Sequence, residues 1–92
     1  MTPYRIEVTH QYLKDVKRAS KRNLDISKLN YIVEMLIYDI PLPPHNKDHN
    51  LIGDYRGCRE CHISPDWLLI YRKDTTLELI SLIRTGSHSD LF

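Results

Sequence analysis

The chain has 92 residues, of which 41% are hydrophobic, and its 13 basic and 12 acidic side chains give a formal charge of +1. This length is enough for one small core, so we expect a single domain over residues 1–92. No apolar run is long enough to span a membrane, and no apolar signal segment follows Met1. We therefore expect a cytoplasmic protein with no membrane partner.

The N-terminal part of the chain predicts a strand followed by a helix with one basic face. Apolar and polar side chains alternate from Tyr4 to Thr9 with the period of a half-buried strand. Over residues 10–22 the apolar side chains instead recur every three or four residues, as they do on a helix. The opposite face of this helix is basic, and it carries Lys14, Lys17, Arg18, Lys21 and Arg22.

A second helix and three strands are predicted next. Residues 26–40 have helical spacing, with Asp25 or Ser27 as the candidate cap and Pro41 as the end. Three runs with strand character follow, Arg56–Ile63, Trp67–Lys73 and Leu77–Ile83. Short turns between them imply an antiparallel meander. We predict an α+β fold in which a four-stranded, antiparallel-rich sheet has both helices packed on one face. The C-terminal tail, Arg84–Phe92, or a partner protein should cover part of the other face.

Two cysteines form the motif Cys58-x-x-Cys61. A redox pair usually begins a helix, and a zinc site usually needs a second pair of ligands, neither of which this sequence indicates. Positions three apart on a strand point to opposite faces. We expect two ordinary reduced thiols.

The predicted meander brings several chemically capable residues to one edge of the sheet. The end of its first strand, the start of its second and the end of its third lie together, so His62, Asp66 and the segment after Arg84 should converge. The tail can then bring His88 close to His62. His49 precedes the first long strand, so topology leaves it at the far end unless the chain after it doubles back.

Such a group suits cleavage of RNA without a metal. A base takes the proton of the ribose 2′-hydroxyl, a cation stabilises the phosphorane, and an acid protonates the departing 5′-oxygen. Arg59 and Arg84 are candidate phosphate ligands because a guanidinium donates a planar pair of hydrogen bonds. Phe92 or Trp67 can stack a base, although core packing is the better interpretation for Trp67.

Three motifs resemble the YafQ branch of the RelE-like toxins of bacterial type II toxin–antitoxin pairs. They are Lys47-Asp48-His49 with Leu51-x-Gly53, Arg59-Glu60-Cys61-His62 with Pro65-Asp66-Trp67, and Arg84-Thr85-Gly86-Ser87-His88 with Phe92. The resemblance covers essentially the whole chain. It implies a ribosome-dependent endoribonuclease that cuts messenger RNA in the decoding site and that a DinJ-like antitoxin holds inactive, with contact to operator DNA only through the antitoxin complex. Cys58 stands where the family commonly has an aromatic residue.

The resemblance also implies roles for individual residues, with no metal and no cofactor. It places the active residues at His49, His62, Asp66, His88 and Phe92. His88 is then the general acid, either His49 or Asp66 is the base, and His62 orients the substrate or contacts a phosphate. The basic face of the first helix is expected to dock on RNA of the 70S ribosome.

Two other classes of function compete with this one. The first is a metal site built from His45, His49, His62 or His88, although the sequence has no HExxH motif or paired C-x-x-C. The second is a catalytically idle protein that only binds an antitoxin or helps to repress DNA.

Overall fold

The computed structural model describes residues 3–92, and its helices and strands follow the predicted order. The elements are β1 (Arg5–Val8), α1 (His10–Lys21), α2 (Ile26–Ile37), β2 (His49–Asn50), β3 (Arg59–Ser64), β4 (Trp67–Asp74), β5 (Leu79–Gly86) and α3 (His88–Leu91), with short 3₁₀ turns at Pro44–Asn46 and Gly53–Tyr55. No helix within residues 3–92 is long and apolar enough to cross a membrane.

Both long helices begin at side-chain caps. Thr9 accepts from the backbone N–H of Tyr12, and Asp25, one of the two predicted caps, accepts from that of Ser27. The second helix ends at Ile37, three residues before the predicted end. Asp39 has a φ of 55°, so the backbone leaves the helix before Pro41 is reached.

The sheet has five strands in the order β1-β5-β4-β3-β2, one more than predicted. The meander β3-β4-β5 is antiparallel as expected, whereas β1 pairs with β5 in parallel. The added strand, β2, has only two residues, and it pairs antiparallel with β3. The α+β class and the meander are therefore confirmed, and the missed strand is one too short to show a period.

Different elements pack on the two faces of the sheet. Trp67, Leu69 and Tyr71 face α1 and α2 in the main core. Leu68 and Ile70, with the opposite parity, form a second cluster with Leu91 of the last helix. Both helices pack on one face as predicted, and the C-terminal tail covers part of the other, which we call the tail face.

The exposure of β1 and the placement of the two cysteines can be compared with their predictions. The predicted half-buried face of β1 is more open than expected, because Ile6 and Val8 remain 45% and 43% exposed on this edge strand. Cys61 is buried among the core residues under the helices, and Cys58 packs in the cluster on the tail face. Both are free thiols on opposite faces, as predicted.

A buried carboxylate joins α1 to the end of β5. Asp15 is only 1% exposed and accepts from Arg84 Nε and Nη2 at 3.0 Å, from the Thr85 N–H at 3.2 Å, and from Gln11 and Arg18. Burial alone raises the pKa of Asp15, but hydrogen bonds from Arg84, Gln11 and Thr85 outweigh it and hold the pKa below its usual value.

Candidate active site

Residues from β2, β3, the β3–β4 turn and α3 meet at one edge of the tail face. The tail returns to the sheet after Gly86, which brings His88 to Asp66 and His62. The predicted convergence of these three residues is confirmed. Their catalytic roles stay a prediction.

His88 is held by Asp66 through two hydrogen bonds. Its backbone N–H and its Nδ1 both donate to Asp66 Oδ1, at 3.0 and 2.8 Å. These bonds hold the pKa of Asp66 below its usual range, with the backbone bond as the larger cause. Because a carboxylate only accepts, Nδ1 carries a proton, and Nε2 is left for a substrate. Both side chains are more than half exposed and are therefore accessible to a ligand.

A glutamate that the sequence analysis did not select lies between two of the histidines. Glu60 Oε1 is 3.6 Å from His49 Nε2 and 3.8 Å from His62 Nε2. It is 4% exposed, and the ring of His62 lies 5.8 Å from that of His88. Glu60 and His62 are two apart on β3, so strand parity is the signal that identifies Glu60. The result is a row of His49, Glu60, His62 and His88, which we call the histidine–glutamate row.

His49 joins this row because the chain after it does double back. β2 pairs with β3 in a register that sets His49 opposite Glu60, and the N–H of Leu51 donates to Cys58 O. The Nδ1 of His49 lies 2.6 Å from the carbonyl oxygen of Lys47, to which it donates. Because a neutral imidazole has one N–H, this bond leaves Nε2 as the acceptor nitrogen.

Three of the predicted substrate-binding residues bind other parts of the protein instead. Arg59 lies on the helix-covered face, opposite to His62, because its parity is that of Cys61, and it binds Asp48 at 3.2 Å. Arg84 is bound to Asp15. Trp67 is 3% exposed and donates to a core threonine, so its prediction as a base-stacking residue is wrong and the core interpretation is confirmed.

Phe92 is the predicted stacking residue that remains available. Its side chain is 63% exposed. The ring lies 5.5 Å from that of Tyr55 and 6.4 Å from that of His88. An aromatic face next to the candidate acid suits a nucleobase.

The basic face of α1 divides into two groups. Arg22 donates to Asp90 at 2.7 and 3.2 Å, and Arg18 binds Asp15 at 2.8 Å and lies 4.0 Å from Asp90. These two arginines hold the body of the protein to its tail. On this face, the three lysines are exposed and form no ion pair within residues 3–92: Lys14, Lys17 and Lys21.

Part of the row has the composition of a metal site. Ligand atoms of Glu60, His62 and His88 all lie within 4.8 Å of one another. Imidazole and carboxylate are ligands that zinc and copper accept. Of the four histidines in the predicted alternative, only His62 and His88 belong to this cluster in the described part of the chain.

Comparison with known proteins gives consistent matches. A family model described as the bacterial toxin of a type II toxin–antitoxin system, YafQ, matches residues 4–92. The mRNA interferase toxin YafQ of Escherichia coli strain K12 is 48% identical over 88 residues, covering 95% of this chain and 94% of that protein. A crystal structure of the E. coli DinJ–YafQ toxin–antitoxin complex has a TM-score of 0.89 at 45% identity, covering 98% of each chain. A metal-bound toxin from Helicobacter pylori has a TM-score of 0.90 at 39% identity, covering 97% of this chain and 99% of that one.

Proposed function

The chain belongs to the YafQ family of bacterial type II toxin–antitoxin toxins, and on this basis we propose that it is an mRNA interferase that cleaves messenger RNA on the ribosome without a metal. The observation that carries the proposal is the accessible histidine–glutamate row, in which Asp66 holds His88 beside His62. The ribose 2′-hydroxyl attacks the adjacent phosphorus, and the 5′-oxygen leaves.

His88 is the general acid in this proposal. Asp66 accepts from Nδ1 and keeps the ring in one orientation, so Nε2 can present a proton to the 5′-oxygen. The lowered pKa of Asp66 keeps it ionised at neutral pH, and an anion beside Nδ1 suits the cationic imidazole that an acid step requires. Asp66 thus acts on the substrate only through His88.

His49 is the better of the two candidate bases. Asp66 already accepts two hydrogen bonds from His88, and its lowered pKa makes it a weak proton acceptor. The Nε2 of His49 has no proton in the tautomer that its contact with Lys47 selects. We therefore assign proton removal from the 2′-hydroxyl to His49.

His62 and Glu60 complete the site between base and acid. Arg59 and Arg84 are held by Asp48 and Asp15, so we assign charge stabilisation of the phosphorane to protonated His62. Glu60, buried beside it, accepts from the His62 imidazolium once the distance from Nε2 to Oε1 shortens from its present 3.8 Å. Phe92 stacks a base of the substrate.

A second surface positions the protein on the ribosome. The three exposed lysines of α1 that form no ion pair within residues 3–92 present separate positive charges, and ribosomal RNA is the phosphate surface that such charges fit. Docking through α1 leaves the histidine–glutamate row open to messenger RNA in the decoding site.

Inhibition requires an antitoxin partner. The E. coli relative is crystallised as a complex with DinJ. We propose that a DinJ-like antitoxin covers this row or displaces the tail, in an interface larger than about 1,000 Å². A co-crystal structure that left His49, Asp66 and His88 open and ordered would rule out occlusion.

The chemistry is tested by His88→Gln in a cleavage assay on translating ribosomes, with His10→Gln, at the exposed start of α1, as the control. Loss of a positioned acid should lower kcat by roughly a hundredfold to ten-thousandfold and leave ribosome binding unchanged. The products should carry a 2′,3′-cyclic phosphate and a 5′-hydroxyl.

Three outcomes would contradict the proposal. A 5′-phosphate product points to attack by water. Cleavage abolished by a chelator, on ribosomes whose magnesium has been restored, points to a metal. An unmodified protein that cuts nothing supports the idle alternative, a partner that only binds its antitoxin or represses DNA.

A further inference from the structure

The helix that carries the candidate acid is too short to be stable alone. α3 has four residues, and an isolated helix of that length does not form in water. Its position therefore depends on contacts with the body of the protein. Leu91 inserts into the cluster on the tail face, His88 binds Asp66 through its backbone N–H and its Nδ1, and the Tyr55 hydroxyl donates to the carbonyl oxygen of Leu91 at 3.4 Å.

Asp90 adds an attachment to the end of α1. Its Oδ2 accepts from the Ser87 N–H at 2.9 Å, while Ser87 Oγ accepts from the Asp90 N–H at 3.2 Å, which closes a capping box. Both carboxylate oxygens also accept from Arg22, at 2.7 and 3.2 Å. A Cβ on Gly86 would lie 2.9 Å from Asp90 Oδ2, so the residue before the turn is closely fitted to this carboxylate.

The arginine comes from the same helix that holds the other end of the tail. Asp15 binds Arg84 and Thr85 just before the turn, and Arg22, the residue that caps the C-terminal end of α1 about two helical turns later, binds Asp90 just after His88. His88 thus lies between two points that a single rigid helix fixes.

We propose that Arg22 is a positioning residue for His88, and not one of the ribosome ligands that the basic face predicts. The Arg22–Asp90 pair sets the orientation of α3, and with it the path of the imidazole toward the leaving oxygen. The inference rests on the proposed acid role of His88, and it adds a residue outside the histidine–glutamate row that affects catalysis.

A positioning role for Arg22 and a role in the stability of the whole domain predict effects of different size. Arg22 is half exposed, and an exposed ion pair contributes little to the stability of the whole domain. A displacement of a catalytic group by about 1 Å, in contrast, costs up to about a hundredfold in rate. Loss of the pair should therefore change catalysis far more than it changes the melting temperature.

The test compares Arg22→Gln, Arg22→Lys and the control Lys28→Gln, which removes an exposed charge from α2. On translating ribosomes, Arg22→Gln should lower kcat by about ten- to a hundredfold with unchanged ribosome affinity and melting temperature. Arg22→Lys, which keeps the charge but loses the paired donors, should recover part of the rate. Lys28→Gln should match the unmodified protein.

An NMR measurement on the free protein tests the same idea without any catalysis. Backbone ¹⁵N relaxation of residues 88–92 should show increased motion in Arg22→Gln and not in Lys28→Gln. Unchanged tail dynamics, or a kcat within twofold of normal, would overturn the positioning role. Weaker ribosome binding with normal kcat would return Arg22 to the docking surface. If the unmodified protein does not cleave RNA, the proposed function fails, while the relaxation data still test the Arg22–Asp90 contact.

Discussion

Removing the charge of Asp15 should destabilise the fold strongly. In Asp15→Asn the side chain keeps its shape and one accepting oxygen, but an amide nitrogen in place of Oδ2 cannot accept from Arg84 Nε or from the Thr85 N–H. Thr85 is 0% exposed, so a lost acceptor there is not replaced by water. The substitution thus removes the negative charge from a buried ion pair, leaves Arg84 without its partner, and creates no cavity.

The expected size follows from the exposure of the partners. Breaking a buried pair by removing one partner costs about 3–5 kcal/mol. Arg84 is 21% exposed and can recover some hydration, so we expect the lower end, about 3 kcal/mol. For a domain of this size, that loss lowers Tm by roughly 12–24 °C. Asp54→Asn, on an exposed turn, should change the free energy of unfolding by less than about 0.5 kcal/mol.

The effect should depend on pH in a defined direction. The pKa of Asp15 is lower in the folded state than its ordinary 3.8, so its stabilisation is complete above that value and is lost as pH falls through the folded pKa. Urea denaturation of both proteins should show the stability gap narrowing below about pH 4. A gap under about 1 kcal/mol at neutral pH, or one that does not narrow in acid, would refute the reasoning.

Three further predictions concern the site and its surfaces. Replacing Lys14, Lys17 and Lys21 by Ala should weaken ribosome binding and reduce the slope of log affinity against log salt by roughly 0.7–0.9 per lost phosphate contact; an unchanged slope argues against docking through α1. Phe92→Ala should weaken messenger RNA binding by about 1–3 kcal/mol, while Phe92→Trp keeps it, and equal affinities would exclude stacking. Zinc ions should inhibit cleavage reversibly by occupying His62 and His88 with Glu60. Glu60→Gln should weaken that inhibition, and a protein insensitive to zinc contradicts the prediction.

The hydrophobic period of the sequence was enough to predict most of the fold. The switch of period at His10 and the return to strand character at Arg56 predicted the helical hairpin and the meander, although the first strand of the meander begins at Arg59. Antiparallel topology then brought His62, Asp66 and His88 together, because chain ends at one edge of a meander must meet. These features follow from local spacing and short connections.

The parts that sequence reasoning missed depend on contacts between distant segments. β2 has two residues, so no period identified it, and the position of His49 could not be derived. Arg22 shares the helical spacing of the lysines, and only the carboxylate of Asp90, 68 residues later in the chain, distinguishes it from them. The placement of Arg59, in contrast, could have been predicted from the sequence. Its shared parity with Cys61 was visible in the sequence and already indicated the face opposite to His62.

The parallel pairing of β1 with β5 affects the order in which this protein can fold. Glu7 accepts a hydrogen bond from Ser81, 74 residues later, so the pairing closes a very long loop and raises the contact order. β5 also lies between β1 and β4, so the sheet stays in separate pieces until Leu79–Gly86 has been synthesised. His88 follows β5 in the chain. A nascent chain therefore gains the proposed general acid only after β5 has been synthesised.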